Sequence, residues 1–207
     1  MGAYKKKIQR RMKHEPIAHI LGFKDFWKNT FYVTNDTLIP RADSETLIES
    51  MLKHLPKNIK DLNFLDLGTG SGCLIISALE EFKSSRGSGI DISEKAISIA
   101  NKNKEKANYK LDLSFYVQDF FNINTSEFDV IICNPPYVSV DDFNKIKDEV
   151  INFEPHGALF PKNGTKDCYE KIIINIKLTN KKKCYLFVEI DYRDSMLISN
   201  ILKDNDF

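Results

Sequence analysis

From Asn63 onward, short apolar runs alternate with stretches whose apolar residues recur at helical spacing. Asn63 to Leu67 reads as a strand, Cys73 to Phe82 as a helix, Gly89 to Ile92 as a weak strand, Glu94 to Lys106 as a helix and Leu113 to Gln118 as a strand. A strongly apolar strand over Phe128 to Cys133 follows, then a helix over Lys166 to Leu178, a strand over Cys184 to Ile190 and a helix over Ser195 to Leu202. Strands separated by helices of about 10 to 15 residues predict an α/β fold with a parallel sheet. In such a sheet ligands sit beyond the carboxyl ends of the strands, near the point where strand order reverses.

The first 60 residues follow a different rhythm. A charged helical stub runs to about Lys13, and Phe23 to Val33 holds two aromatic-rich runs around Lys28-Asn29-Thr30, readable as a hairpin. Leu47, Ile48, Met51, Leu52 and Leu55 share one helical face; Asp43 or Ser44 is placed to cap that helix and Pro56 to end it. The boundary divides the chain into 1–58, a short helical stub with a hairpin and a linking helix, and 59–207, the sheet domain.

Composition narrows the function classes. The net charge of +1 over 207 residues conceals six basic side chains and no acid within residues 1–13, which leaves 24 basic against 29 acidic residues in the remainder, a net of −5. A mildly acidic body argues against a broad nucleic-acid footprint. No apolar run approaches the ~18 residues of a membrane span and no signal sequence opens the chain, so a cytoplasmic protein without membrane association is expected. The four cysteines show no Cys-x-x-Cys spacing and the four histidines no ligand pair, so neither a metal nor a disulfide framework is expected. Cys73 and Cys133 lie in apolar stretches, where buried reduced thiols are the usual outcome.

The chemistry lies at the predicted strand ends. The first strand leads through Asp66-Leu67 into Gly68-Thr69-Gly70-Ser71-Gly72 and directly into a helix. Glycines at 68, 70 and 72 permit positive φ and close approach of the backbone to a ligand, and the helix start offers free N–H groups. The third glycine of a dinucleotide fingerprint is replaced by Cys73, and no Gly-Lys-[Ser/Thr] follows, so a nucleoside triphosphate loop is excluded. Asp91, 19 residues past Gly72, ends the second strand, where a carboxylate can accept from both hydroxyls of a ribose. Asp119 and Phe120 end the third strand and are expected to wall an adenine, one by polarity and one by stacking.

The fourth strand ends in Asn134-Pro135-Pro136-Tyr137. Two prolines without N–H groups, each holding its predecessor extended, present carbonyls free of competing donors. The Asn134 side-chain oxygen and the Pro135 carbonyl can accept both hydrogens of a planar NH2 group, and Tyr137 can cover the flat face of the group that bears it. Such a nitrogen, on a carboxamide or an aminopurine, is a poor nucleophile because its lone pair is delocalised. Accepting both hydrogens turns that lone pair toward an electrophile. With a sulfonium methyl donor in the glycine loop, in-line displacement follows.

The Asp-Leu-Gly-Thr-Gly-Ser-Gly loop, Asp91-Ile92-Ser93 and Asn-Pro-Pro-Tyr together resemble the S-adenosylmethionine-dependent methyltransferases that act on NH2 groups. Glu15-Pro16-Ile17-Ala18, Leu38-Ile39-Pro40-Arg41 with Glu45, and Phe153-Glu154-Pro155 before Ala158-Leu159 resemble more closely the peptide chain release factor N(5)-glutamine methyltransferases, the HemK family. The resemblance spans about Arg11 to Ile190. It implies a Rossmann-like class I S-adenosylmethionine methyltransferase with helices on both faces of the sheet. The implied reaction is methylation of the glutamine side-chain amide in the Gly-Gly-Gln loop of class 1 release factors. The implied donor-binding residues are Gly68 to Gly72, Asp91, Phe120 and Asn134, with Asn134, Pro135, Pro136 and Tyr137 gripping the substrate amide. Arg41 and Glu45 match a family motif, and a salt bridge at the helix start is the simplest expectation for them.

The chain departs from the family at His14, His19 and His156, where arginine, tyrosine and arginine are usual, and at Asp191, where glycine is usual. Against the family's full pattern, most of an N-terminal helical domain and the last two strands are expected to be lacking. Two alternatives remain open: transfer to adenine or cytosine amino groups of nucleic acid, and an inactive donor-binding fragment whose strand over Cys184 to Ile190 is an uncovered apolar edge. A monomer is expected if the domain is complete.

Overall fold

The structure, a computed structural model, describes residues 2–56, 60–107, 110–180 and 182–207. The basic start forms α1 (Ala3–Met12), none of whose residues is buried, followed by a short α2 (Ile17–Leu21) closed by Gly22 in the left-handed conformation. Five residues carry too little periodicity to announce α2 in sequence.

The predicted hairpin is present as β1 (Phe23–Phe26) and β2 (Asn29–Tyr32), with its turn at Trp27-Lys28 rather than around Lys28-Asn29-Thr30. Trp27 takes a positive φ of 53°, its backbone N–H donates to Glu45 at 2.9 Å and its indole N–H donates to Glu81 at 2.8 Å. These tertiary bonds place the turn where local propensity does not. Phe26 and Phe31 meet edge to face beneath it.

In α3 (Glu45–His54), Leu47, Ile48 and Met51 are buried as expected, whereas Leu52 is exposed. Neither Asp43 nor Ser44 caps the helix by its side chain; the chain enters through a 3-10 turn, and the Ser44 hydroxyl serves Asn134 instead.

Five parallel strands form the sheet: β3 (Asn63–Leu67), β4 (Arg86–Asp91), β5 (Asp112–Val117), β6 (Val130–Cys133) and β7 (Tyr185–Val188), in the order β5-β4-β3-β6-β7. The order reverses between β3 and β6, whose residues are buried throughout. Alternate residues of these strands feed opposite faces. Phe64, Val130 and Ile132 pack with α3, α4 (Cys73–Glu81) and α5 (Glu94–Glu105), while Leu65, Leu67, Ile131 and Cys133 pack under α8 (Thr165–Thr179). Each such side chain contributes roughly 1.5 to 3 kcal/mol by leaving water.

Between β6 and α8 lie two four-residue helices, α6 (Asp148–Ile151) and α7 (His156–Leu159), and after β7 comes α9 (Ser195–Asp204), whose Ile198 and Ile201 pack on Tyr169 and Ile173 of α8. The second sheet strand is longer than its faint pattern suggested. Gly87 and Gly89 give β4 no hydrophobic period, yet a Cβ at 89 would lie 2.5 Å from the Phe115 ring of β5 and one at 87 would lie 2.9 Å from Ile75 of α4, so close packing on the strand explains both glycines. Cys133 is buried as expected, but Cys73 is only partly so. No helix among the described residues is long and apolar enough to cross a membrane.

Candidate active site

The crevice at the reversal of strand order is built from the predicted strand ends. Gly68, Gly70 and Gly72 all have positive φ (73°, 55° and 79°), which folds the loop after β3 back over the sheet edge. The loop is held from three sides. Thr69 donates its N–H to the Ile90 carbonyl at 2.8 Å and its hydroxyl to Asp66 at 2.6 Å. Asn103 of α5 donates to the carbonyls of Ser71 (2.8 Å) and Tyr32 (3.1 Å) and accepts from the Tyr32 N–H (2.7 Å), so one buried amide ties the hairpin to the glycine loop. Thr69, Ser71 and Gly72 are buried supports, while Gly68 and Gly70 line the cavity.

Asp91 ends β4 with each carboxylate oxygen fixed by one backbone donor, Gly70 N–H at 3.0 Å and Ser93 N–H at 2.9 Å. Each oxygen keeps a lone pair for a ligand hydroxyl. Burial raises the Asp91 pKa, opposed by the Ser93 and Gly70 amides. Beneath it Asp66 is fully enclosed, and burial pushes its carboxyl up to about 7 despite the Thr69 hydrogen bond. Asp119 accepts from the Phe121 N–H at 3.0 Å and so fixes the turn that carries Phe120.

Two adjoining cavities share Ile92, Phe120, Pro136 and Gly157. The first, of about 210 Å³, is lined by Gly68, Gly70, Asp91, Asn134 and Pro135, and on its outer side by Asp36, Thr37 and Leu38 with Pro155, Gly157 and Ala158. The second, of about 430 Å³, runs past Asp119 and Phe121 to Lys162 and Lys171. A hydroxyl-accepting carboxylate beside a flat apolar slot fits a ligand with a sugar and a planar base.

Asn134 donates its Nδ2 to the Ser44 hydroxyl at 3.2 Å, which leaves Oδ1 as its free acceptor. Pro135 and Pro136 stand beside it on the cavity wall. Tyr137 is not brought to this wall. Its hydroxyl donates to Glu189 at 3.0 Å, its ring packs against the α8–α9 cluster, and burial raises its pKa. Arg41 and Glu45 do not pair with each other. Arg41 reaches Glu154 at 2.6 Å, and Glu45 accepts from the Trp27 backbone. Cys133 and Cys168 are buried at the floor, and burial pushes their thiols up, Cys168 to about 11, so neither is a thiolate at neutral pH. Ser44, expected only as a helix cap, and Glu154, expected only as part of the Phe153-Glu154-Pro155 motif, are site residues that the sequence does not announce.

Residues 58–205 match a family profile described as Methyltransferase domain. The chain is 36% identical over 231 residues to a bifunctional methyltransferase of Rickettsia bellii, covering 99% of this chain and 42% of that protein. It is 37% identical over 202 residues to a release factor glutamine methyltransferase of Fusobacterium nucleatum, covering 97% of this chain and 56% of that protein. It thus spans about half the length of these relatives. In fold it is similar to a ribosomal protein L11 methylase of Lactobacillus delbrueckii, with a TM-score of 0.57, 18% identity, and 81% and 70% of the two chains covered.

Proposed function

Because the chain belongs to the methyltransferase-domain family, we propose that it transfers a methyl group from S-adenosyl-L-methionine to the side-chain amide nitrogen of a glutamine in peptide chain release factors. The observation that carries this reading is the commitment of Asn134. With its Nδ2 given to Ser44, the side chain offers an acceptor to the cavity, next to the Pro135 carbonyl that no N–H follows.

The residues present fit the donor: Asp91 for the ribose hydroxyls, Ile92 and Phe120 as walls for the adenine with Asp119 at its edge, and Gly68 and Gly70 as open backbone. When bound, S-adenosyl-L-methionine supplies an electrophilic methyl group on a sulfonium. Asn134 and Pro135 accept the two amide hydrogens and orient the nitrogen lone pair. Positioning supplies on the order of 7 to 11 kcal/mol, against about 1 kcal/mol for each neutral hydrogen bond, so alignment dominates. The protein substrate is supported by the 37% identity with the Fusobacterium release factor enzyme and by the Asn-Pro-Pro-Tyr and Phe-Glu-Pro motifs. The Gly-Gly-Gln loop of class 1 factors is the substrate those motifs imply.

Incubating the chain with tritiated donor and either a class 1 release factor or unmethylated DNA separates this reading from base methylation. Label is expected in the release factor; label in DNA alone overturns the proposal.

A further inference from the structure

One buried carboxylate outside the strand-end motifs joins the two segments that form the outer wall of the donor cavity. Glu154 has a side chain only 1% exposed; its Oε2 accepts from the Ile39 backbone N–H at 3.0 Å and its Oε1 from Arg41 Nη2 at 2.6 Å. Ile39 directly follows Thr37 and Leu38, and Glu154 directly precedes Pro155, Gly157 and Ala158, all five of which line the cavity. More than 110 residues of sequence separate the two partners, so no local turn holds the wall together. Besides these two bonds, the strap over residues 36–41 is held by the burial of Thr37 and Ile39 and by the Lys95 pair with Asp36 at 3.0 Å, whose lysine is 75% exposed and contributes little.

We propose that Glu154 is a positioning residue for the donor: by gripping Ile39 and Arg41 together it sets the distance between the residue 36–38 strap and the residue 155–158 turn, and so the width of the donor cavity. The inference rests on the reading of that cavity as the S-adenosyl-L-methionine site. Arg41 thereby acquires a role that its motif alone does not give: it orients the carboxylate so that the second oxygen meets the Ile39 amide. Glutamine at 154 keeps an acceptor for one of these donors and the shape of the side chain but loses the charge, whereas alanine loses both bonds.

Calorimetric titration of the full chain with S-adenosyl-L-methionine, without methyl acceptor, tests this at a temperature where thermal unfolding shows each variant folded. Wild-type binding is the control on the donor reading itself: its absence would overturn that reading and with it the role of Glu154, whereas wild-type binding with unchanged affinity in the variants overturns the role of Glu154 alone. Glu154→Ala is expected to weaken donor binding by about 10- to 100-fold, the equivalent of losing one or two charge-assisted hydrogen bonds. Glu154→Gln and Arg41→Ala are expected to lose severalfold less, with KM for the donor raised and kcat little changed. Amide exchange at Ile39 should accelerate in the alanine variant. A merely structural role predicts a lower Tm with unchanged affinity in the folded protein. Donor affinity within twofold of wild type in folded Glu154→Ala overturns the proposal, and if that variant does not fold, unchanged affinity in both Glu154→Gln and Arg41→Ala overturns it equally.

Discussion

Asn134 is one side chain asked to face two ways in the proposed reaction: its Nδ2 is given to Ser44, which leaves Oδ1 as the acceptor for the amide to be methylated. Asn134→Ala removes the acceptor from the nucleophile without touching Asp91 or the glycine loop. It should therefore abolish turnover while donor affinity stays within about tenfold, the scale of ~1.4 kcal/mol, when measured by titration beside single-turnover methylation. A loss of donor affinity by several orders of magnitude would refute this division of roles. Asp91, Asp119 and the Asn-Pro-Pro turn were legible in the sequence because each is local to a strand end and carries its own chemistry. Tyr137, expected to cover the flat face of the substrate group, does not line the donor cavity. Nothing near it in sequence announces Glu189, the partner 52 residues away that holds its hydroxyl.

At the scale of elements, apolar runs identified β3 and β6 because both faces of a central parallel strand are buried. They marked only the second half of β4, where glycine replaces pattern with space, and missed α2, α6 and α7, each too short to repeat a period. Gly89→Ala tests the close packing that explains β4. Its Cβ would meet the Phe115 ring at 2.5 Å and Thr69 Oγ1 at 2.8 Å, one a core aromatic and the other a support of the glycine loop. Overpacking of this kind costs about 1 to 3 kcal/mol. Urea denaturation should show a loss in that range, and a change below about 0.5 kcal/mol would contradict the packing. The Arg41 to Glu154 pair belongs to the same lesson. Its partners lie 113 residues apart, so sequence favoured the neighbouring Glu45, whereas the fold brings the α7 turn to the strap.

For the whole molecule, the site imposes a stability penalty through Asp66. Burial keeps its carboxyl protonated up to about pH 7 in the folded chain, against 3.8 for the ordinary group. The folded state thus binds more protons than the unfolded state between these values, so stability falls as pH rises from about 4 to 7. The full difference is on the order of 4 kcal/mol at ~1.4 kcal/mol per pH unit. Asp66→Asn keeps an acceptor for Thr69 and should flatten this slope. Its stability relative to wild type should rise between pH 5 and pH 8, as read by thermal unfolding at each pH, and a constant difference across that range would contradict the assignment.

The strap, the glycine loop, Asp91 and the Asn-Pro-Pro turn converge on one cavity from four separate stretches of chain. Their joint purpose is tested most directly by tandem mass spectrometry of a class 1 release factor after incubation with the chain and S-adenosyl-L-methionine. One methyl group on the side-chain nitrogen of the Gly-Gly-Gln glutamine, absent with Asn134→Ala, is the expected result. A release factor that stays unmodified, or a methyl group on any other residue, would contradict it.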